Sequence, residues 1–154
     1  KGEAAVVAGA GIRYFLPLSQ TQEYNMGLVH TKIELSNPKD DSLKPVTGRA
    51  LVDTGAAMLC LPQHLAVHLA LEEIEKRGVT AADGREHSVP CVGPVRVRFD
   101  NRSSFSGALV LGDSVLMGAI QMEDMDLVVH PRTQTVTVNP ASPNTPSVMA
   151  KPLP

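Results

Sequence analysis

Leu51-Val52-Asp53-Thr54-Gly55-Ala56 delivers one acidic residue from an apolar run onto a Thr-Gly turn, and Met58, Leu59 and Leu61 follow at once. Burying a carboxylate costs several kcal/mol unless neighbours hydrogen-bond it or its pKa moves. An Asp in this place therefore opens a turn between two strands or performs chemistry. Asp and Gly suit the first role by themselves, since Asp bonds its own backbone two residues on and Gly tolerates unusual dihedrals. On either reading, residues 46–52 form the strand that feeds the turn, and residues 59–61 form a buried strand that leaves it.

Outward from this point the pattern is strand upon strand. Residues 28–35 alternate, with Val29, Thr31, Ile33 and Leu35 on one face and Leu28, His30, Lys32 and Glu34 on the other. Residues 36–45 are a polar loop of turn formers. Pro62 suits the first position of a helix over residues 63–71, with Leu65, Ala66 and Leu69 inward. Residues 71–77 lead out of it. Residues 79–89 read as a hairpin around the tight-turn signal Ala81-Ala82-Asp83-Gly84. Val95, Val97 and Phe99 mark one side of a strand, Asp100-Asn101-Arg102-Ser103 a turn, and residues 105–111 a strand. Two last short strands, residues 127–129 and 135–138, flank His130-Pro131-Arg132. Many short strands, regular turns and one or two short helices predict an all-β, closed barrel-like fold.

A second informative stretch lies about sixty positions after Asp53. Val110-Leu111-Gly112-Asp113-Ser114-Val115-Leu116-Met117-Gly118-Ala119 is an apolar strand ending on Leu116-Met117-Gly118. Residues 121–126 then read as a short helix, with Glu123, Asp124 and Asp126 as acids near its start, where the helix dipole favours them. In order and spacing, the two stretches resemble the paired signatures of retropepsin-like aspartic proteases. Within that group the likeness is to the small bacterial members, and it covers residues 26–140.

The resemblance implies a small acid-protease barrel that forms a two-fold symmetric homodimer, because one chain carries only one Asp. It implies an endopeptidase with Asp53 as the catalytic residue of each subunit and an extended polypeptide as substrate, with no cofactor and no metal. Thr54 would grip the partner's loop, Gly55 would let the backbone turn close to the carboxylate, and Ala56 would pack behind. Leu116, Met117 and Gly118 would be the second signature, and Ala82, Asp83, Gly84 and Arg85 the tip of a flap over the substrate. Thr135–Val138 would be the strand that pairs between subunits. Ala57 departs from the viral pattern, in which a small polar residue or an acid follows the Ala. That departure leaves open a dimeric module of the same fold that binds a peptide or protein partner without cleaving it.

Composition bounds the alternatives. The 154 residues carry a formal charge of −2 and no basic run, which argues against nucleic acid. Hydrophobic residues make up 43% but aromatics only 3%, with no Trp, so the core must be built from aliphatic side chains and Met. No apolar stretch is long enough for a membrane span. Cys60 and Cys91 are too few for a disulfide framework and read as free thiols in a cytoplasmic protein. His64 and His68 share a helix face but lack an evident third metal ligand. Residues 1–25 read as an N-terminal extension or appended sequence, in which Arg13-Tyr14-Phe15-Leu16-Pro17-Leu18 is an extended apolar segment able to join a sheet edge or lie in a groove. Residues 141–154 are Pro-rich and read as a flexible or loosely docked tail.

Overall fold

Most strands of the barrel sit where period-two patterning puts them, and their pairing closes it. The structure is a computed structural model that describes residues 28–80 and 84–149 in full and residues 4–8 and 12–16 as backbone. The elements are β1 (Ala4–Ala8), β2 (Ile12–Leu16), β3 (Val29–Ser36), β4 (Val46–Val52), β5 (Leu59–Leu61), α1 (Gln63–His68), β6 (Glu72–Thr80), β7 (Glu86–Phe99), β8 (Arg102–Val110), β9 (Val115–Met117), α2 (Ala119–Asp124), β10 (Leu127–His130) and β11 (Thr135–Val138). The main sheet runs β3-β4-β9-β5-β8-β7-β6, and β3 also pairs with β7 through Glu34↔Arg98, Leu35↔Val97 and Ser36↔Arg96. That last pairing closes six strands into a barrel and leaves β6 outside it, as the second arm of a hairpin with β7.

The interior is aliphatic. Leu59, Leu61, Val95, Val97, Ala108 and Met117 are fully enclosed, with Val29, Ile33 and Leu35 from the alternating face of β3. Each such Leu or Val contributes roughly 1.5–3 kcal/mol by leaving water. Among the described residues, no helix is long and apolar enough to cross a membrane.

Several sequence expectations change in detail. Pro62 is the N-cap of α1 rather than its first residue (φ −62, ψ 148), and it accepts the Leu65 N–H at 3.1 Å. The helix stops at His68 instead of reaching Leu71, because Ala70 turns left-handed (φ 47) and the buried Asn37 amide donates to the carbonyls of Leu69 and Ala70 at 3.0 and 3.3 Å. Residues 72–77 belong to strand β6, so the hairpin is longer than its turn signal suggested. Arg102 is not a turn residue: it opens β8 and is 1% exposed. Helix α2 begins at Ala119, so Glu123 and Asp124 lie at its C-terminal end, where the dipole disfavours them, and Asp126 lies beyond it.

Strands β10 and β11 pair with each other, His130↔Thr135 to Leu127↔Val138, so Thr135–Val138 already has one partner strand inside the chain. At the N-terminal end Ile12–Leu16 pairs antiparallel with Ala4–Ala8, while Pro17 and Leu18 of the apolar segment lie outside the described residues.

Residues 139–147 form a strap across the barrel. The Asp126 carboxylate accepts from Asn139 Nδ2 at 2.9 Å, from the Ser147 N–H at 2.9 Å and from the Ser142 hydroxyl. Arg102 donates to the Ser142 carbonyl, and Asn101 Nδ2 to the Pro143 carbonyl at 3.0 Å. The segment expected as a loose tail is therefore hydrogen-bonded as far as Ser147, while residues 150–154 lie outside the described residues.

Ser142, then Asn139 and the Ser147 N–H, hold the Asp126 carboxyl down from 3.8 to about 2. An acid depressed on folding stabilises the fold fully above its unfolded pKa and loses that contribution as pH falls through the folded one. The strap should therefore loosen between pH 3.8 and about 2. Hydrogen exchange at the Ser147 amide is the measurement. Its protection should fall across that window, and Asp126→Asn should remove the dependence.

Candidate active site

The loop that carries Asp53 is shaped by a crossing in the sheet. Strands β4 and β5 are consecutive in sequence but not adjacent in space, because β9 lies between them, parallel to β4 and antiparallel to β5. Residues 53–58 must therefore pass over the end of β9. The crossing is fixed by backbone hydrogen bonds: Asp53 N–H to the Met117 carbonyl at 3.1 Å, Ala119 N–H to Ala56 at 2.8 Å and Ile120 N–H to Ala57 at 3.1 Å. The first free N–H groups of α2 thus hold the loop's own carbonyls. Leu116, Met117 and Gly118 sit directly beneath the Asp53 loop.

Asp53 is exposed, and its Oδ1 accepts the Gly55 N–H at 2.9 Å. A Cβ on Gly55 would come within 3.1 Å of that oxygen, tighter than most side chains tolerate. Thr54 is exposed and makes no hydrogen bond among the described residues. Ala56 is half-buried and Ala57 exposed. A cavity of about 1020 Å³ opens beside the loop, lined by Thr54, Ile120, Leu127, Val129, Val148 and Met149 among others. It borders Thr54, not Asp53, so it is the flank of the site rather than its reacting centre. Ile120, Val148 and Met149 are 47%, 66% and 103% exposed there.

The hairpin proposed as a flap is present, but Ala82 and Asp83 lie outside the described residues. Gly84 has φ 78, the left-handed turn conformation for which Gly is needed, and Arg85 follows it exposed. His64 and His68 are both exposed on α1, and among the described residues no group of three or more His, Cys, Asp or Glu side chains is placed to hold a metal.

Both cysteines are free. Cys60 and Cys91 each pair in register with Leu109 from opposite sides, so they are two strands apart, about 9–10 Å between Cα atoms. That exceeds disulfide reach. Burial raises both thiol pKa values, and the nearby Asp53 charge raises Cys60 further. Alkylation at neutral pH should accordingly be slow in the folded chain and fast after unfolding in urea, a contrast that mass spectrometry of iodoacetamide-treated protein reads directly.

Sequence reasoning missed three features: the buried Arg102, the Asp126 strap, and the Asn37 cap. Asn139 and Ser142 are turn formers whose polar signal was visible, but nothing local indicated that they bond a carboxylate 13 and 16 residues earlier. No family model and no curated protein matches the chain. The fold and site define a closed six-stranded β-barrel that presents Asp53 exposed on the loop that crosses the end of β9.

Proposed function

We propose that the chain is a retropepsin-like aspartic endopeptidase that works as a homodimer, with one Asp53 from each copy. The observation that carries this reading is the Asp53 loop, clamped over Gly118 with its carboxylate exposed. Oδ1 receives the Gly55 N–H two residues on, the bond of an Asx-turn, and the carboxylate still faces solvent, so the loop fixes its place while leaving it open to water and to a second carboxylate. Two carboxylates brought together share a proton near working pH, as in aspartic proteases generally. The ionised one takes a proton from a water molecule while the protonated one polarises the scissile carbonyl. The nucleophile is that water, so neither metal nor cofactor is needed.

The apolar surface around Thr54, Ile120, Val148 and Met149 suits a second copy. Seated there, it would cover side chains that water now meets and give the Thr54 hydroxyl a partner. Sedimentation should show a dimer at micromolar concentration, and the pair Val148→Asp, Met149→Asp should shift it toward monomer and lower activity with it. A monomeric parent whose activity stays linear in concentration would sink the dimer. Two free cysteines fit a cytoplasmic setting.

A second reading is a dimeric module of the same fold that binds a peptide or partner without hydrolysis. Ala57 favours it, because its methyl offers the site no side-chain hydrogen bond. Incubation of the purified protein with a diverse peptide mixture, with and without a chelator, separates the two. The protease reading expects cleavage that the chelator does not affect.

A further inference from the structure

A smaller apolar cluster lies apart from the barrel core. Val89, Cys91 and Leu109 are its buried floor, and Met58, Cys60 and Val79 stand half-buried around it. Cys60, Leu109 and Cys91 are register neighbours on β5, β8 and β7, so their side chains stand side by side on one face. Met58 belongs to the loop from Asp53, and Val79 to hairpin strand β6. The patch therefore runs from the Asp53 loop to the hairpin. Asp53 is near enough to Cys60, and Arg77 and Glu75 near enough to Cys91, for their charges to be felt at the two thiols.

Arg77 spans the gap. It reaches from β6 to place Nη1 3.0 Å from Met58 Sδ, while Nε bonds Glu75 Oε1 at 2.5 Å. The side chain is 49% exposed. A thioether is a weak acceptor, and Nη2 has no hydrogen-bond partner among the described residues, so the guanidinium keeps donors to spare. Met58 and Cys60 are two positions apart, and alternate residues of an extended peptide share a face at about 6.6–7 Å. A peptide alongside them would set one side chain over Cys60 and Leu109 and the next on that face beside Met58 and Arg77.

We propose that this patch selects an extended peptide bearing an aliphatic side chain over Cys60 and Leu109 and an acidic side chain two residues away at Arg77. Arg77 is then a specificity-determining residue. The inference deepens the peptide-cleaving reading above and rests on its placing of the substrate beside Asp53.

The test uses the full chain and three peptides that differ only in Glu, Gln or Lys two positions from a central Leu. Each is made cleavable and, with a reduced central bond, uncleavable. Anisotropy with the uncleavable set reads binding, and chromatography of the cleavable set reads hydrolysis. Glu should be preferred over Gln by about fivefold, the upper range for a half-exposed ion pair, and less at high salt. Arg77→Gln should erase the preference, and R77E should transfer it to Lys. An acidic preference equal in parent and R77Q, or no binding of any peptide, overturns the proposal. Binding that depends on Arg77 without any hydrolysis supports it and sinks the protease reading. Asp53-dependent hydrolysis with no charge preference does the reverse.

Discussion

Asp53→Asn should abolish peptide hydrolysis, by on the order of 10⁴-fold or more, while leaving the fold and the dimer unchanged. Asn keeps the shape of the side chain, and its amide oxygen still accepts the Gly55 N–H that Asp53 Oδ1 now accepts. What it loses is the exchangeable proton and the negative charge, which the proposed chemistry needs in alternation. The side chain is exposed, so the substitution leaves no buried group unpaired. Circular dichroism and sedimentation should match the parent while turnover disappears. If the variant cleaves as fast as the parent, Asp53 is a turn residue and the protease reading falls.

Gly118→Ala carries the largest expected structural effect. A Cβ there would stand 2.7 Å from the Met58 carbonyl oxygen, 2.8 Å from that of Ala56 and 2.8 Å from the Ala57 carbonyl carbon. All three are backbone atoms, so none can swing aside as a side chain would. The loop over β9 or the start of α2 must shift instead, at a cost of about 2–3 kcal/mol. For a chain of this size that lowers Tm by roughly 5–10 °C. Urea denaturation should show a lower midpoint with an unchanged slope. Hydrolysis should fall too, because the displaced loop is the one that holds Asp53. Gly48→Ala is the control, since nothing lies within 4 Å of its Cβ. It should be neutral or slightly stabilising. Equal stability of the two variants would mean that the loop is not packed on β9.

Much of the barrel was legible in advance because burial on a strand leaves a period of two. The bounds expected for residues 46–52 and 59–61 coincide with β4 and β5, and the inward face of β3 holds Val29, Ile33 and Leu35 as its alternation required. The helices were less legible. The end of α1 depends on Asn37, 32 residues before the Leu69 carbonyl that it caps, and no local pattern carries that information. The strap was misjudged for a related reason. Residues 139–147 have too little apolar surface to argue for order, and what orders them is a set of hydrogen bonds to Asp126, Asn101 and Arg102, each distant in sequence.

The sequence by itself determined most of the barrel strands, the aliphatic core, the turn chemistry of Asp53-Thr54-Gly55 and the apolar strand that ends on Leu116-Met117-Gly118. Only the tertiary structure decided that these two stretches are in contact. Strand β9 inserts between β4 and β5, so Gly118 meets the loop about sixty residues before it through contacts that a Cβ would block. Likewise only the fold brings Arg77 to Met58 and Cys91 beside Leu109 and Cys60. Local patterning follows from which side chains leave water. Which strands become neighbours follows from how all of them close one barrel together, and that is not encoded in any single stretch.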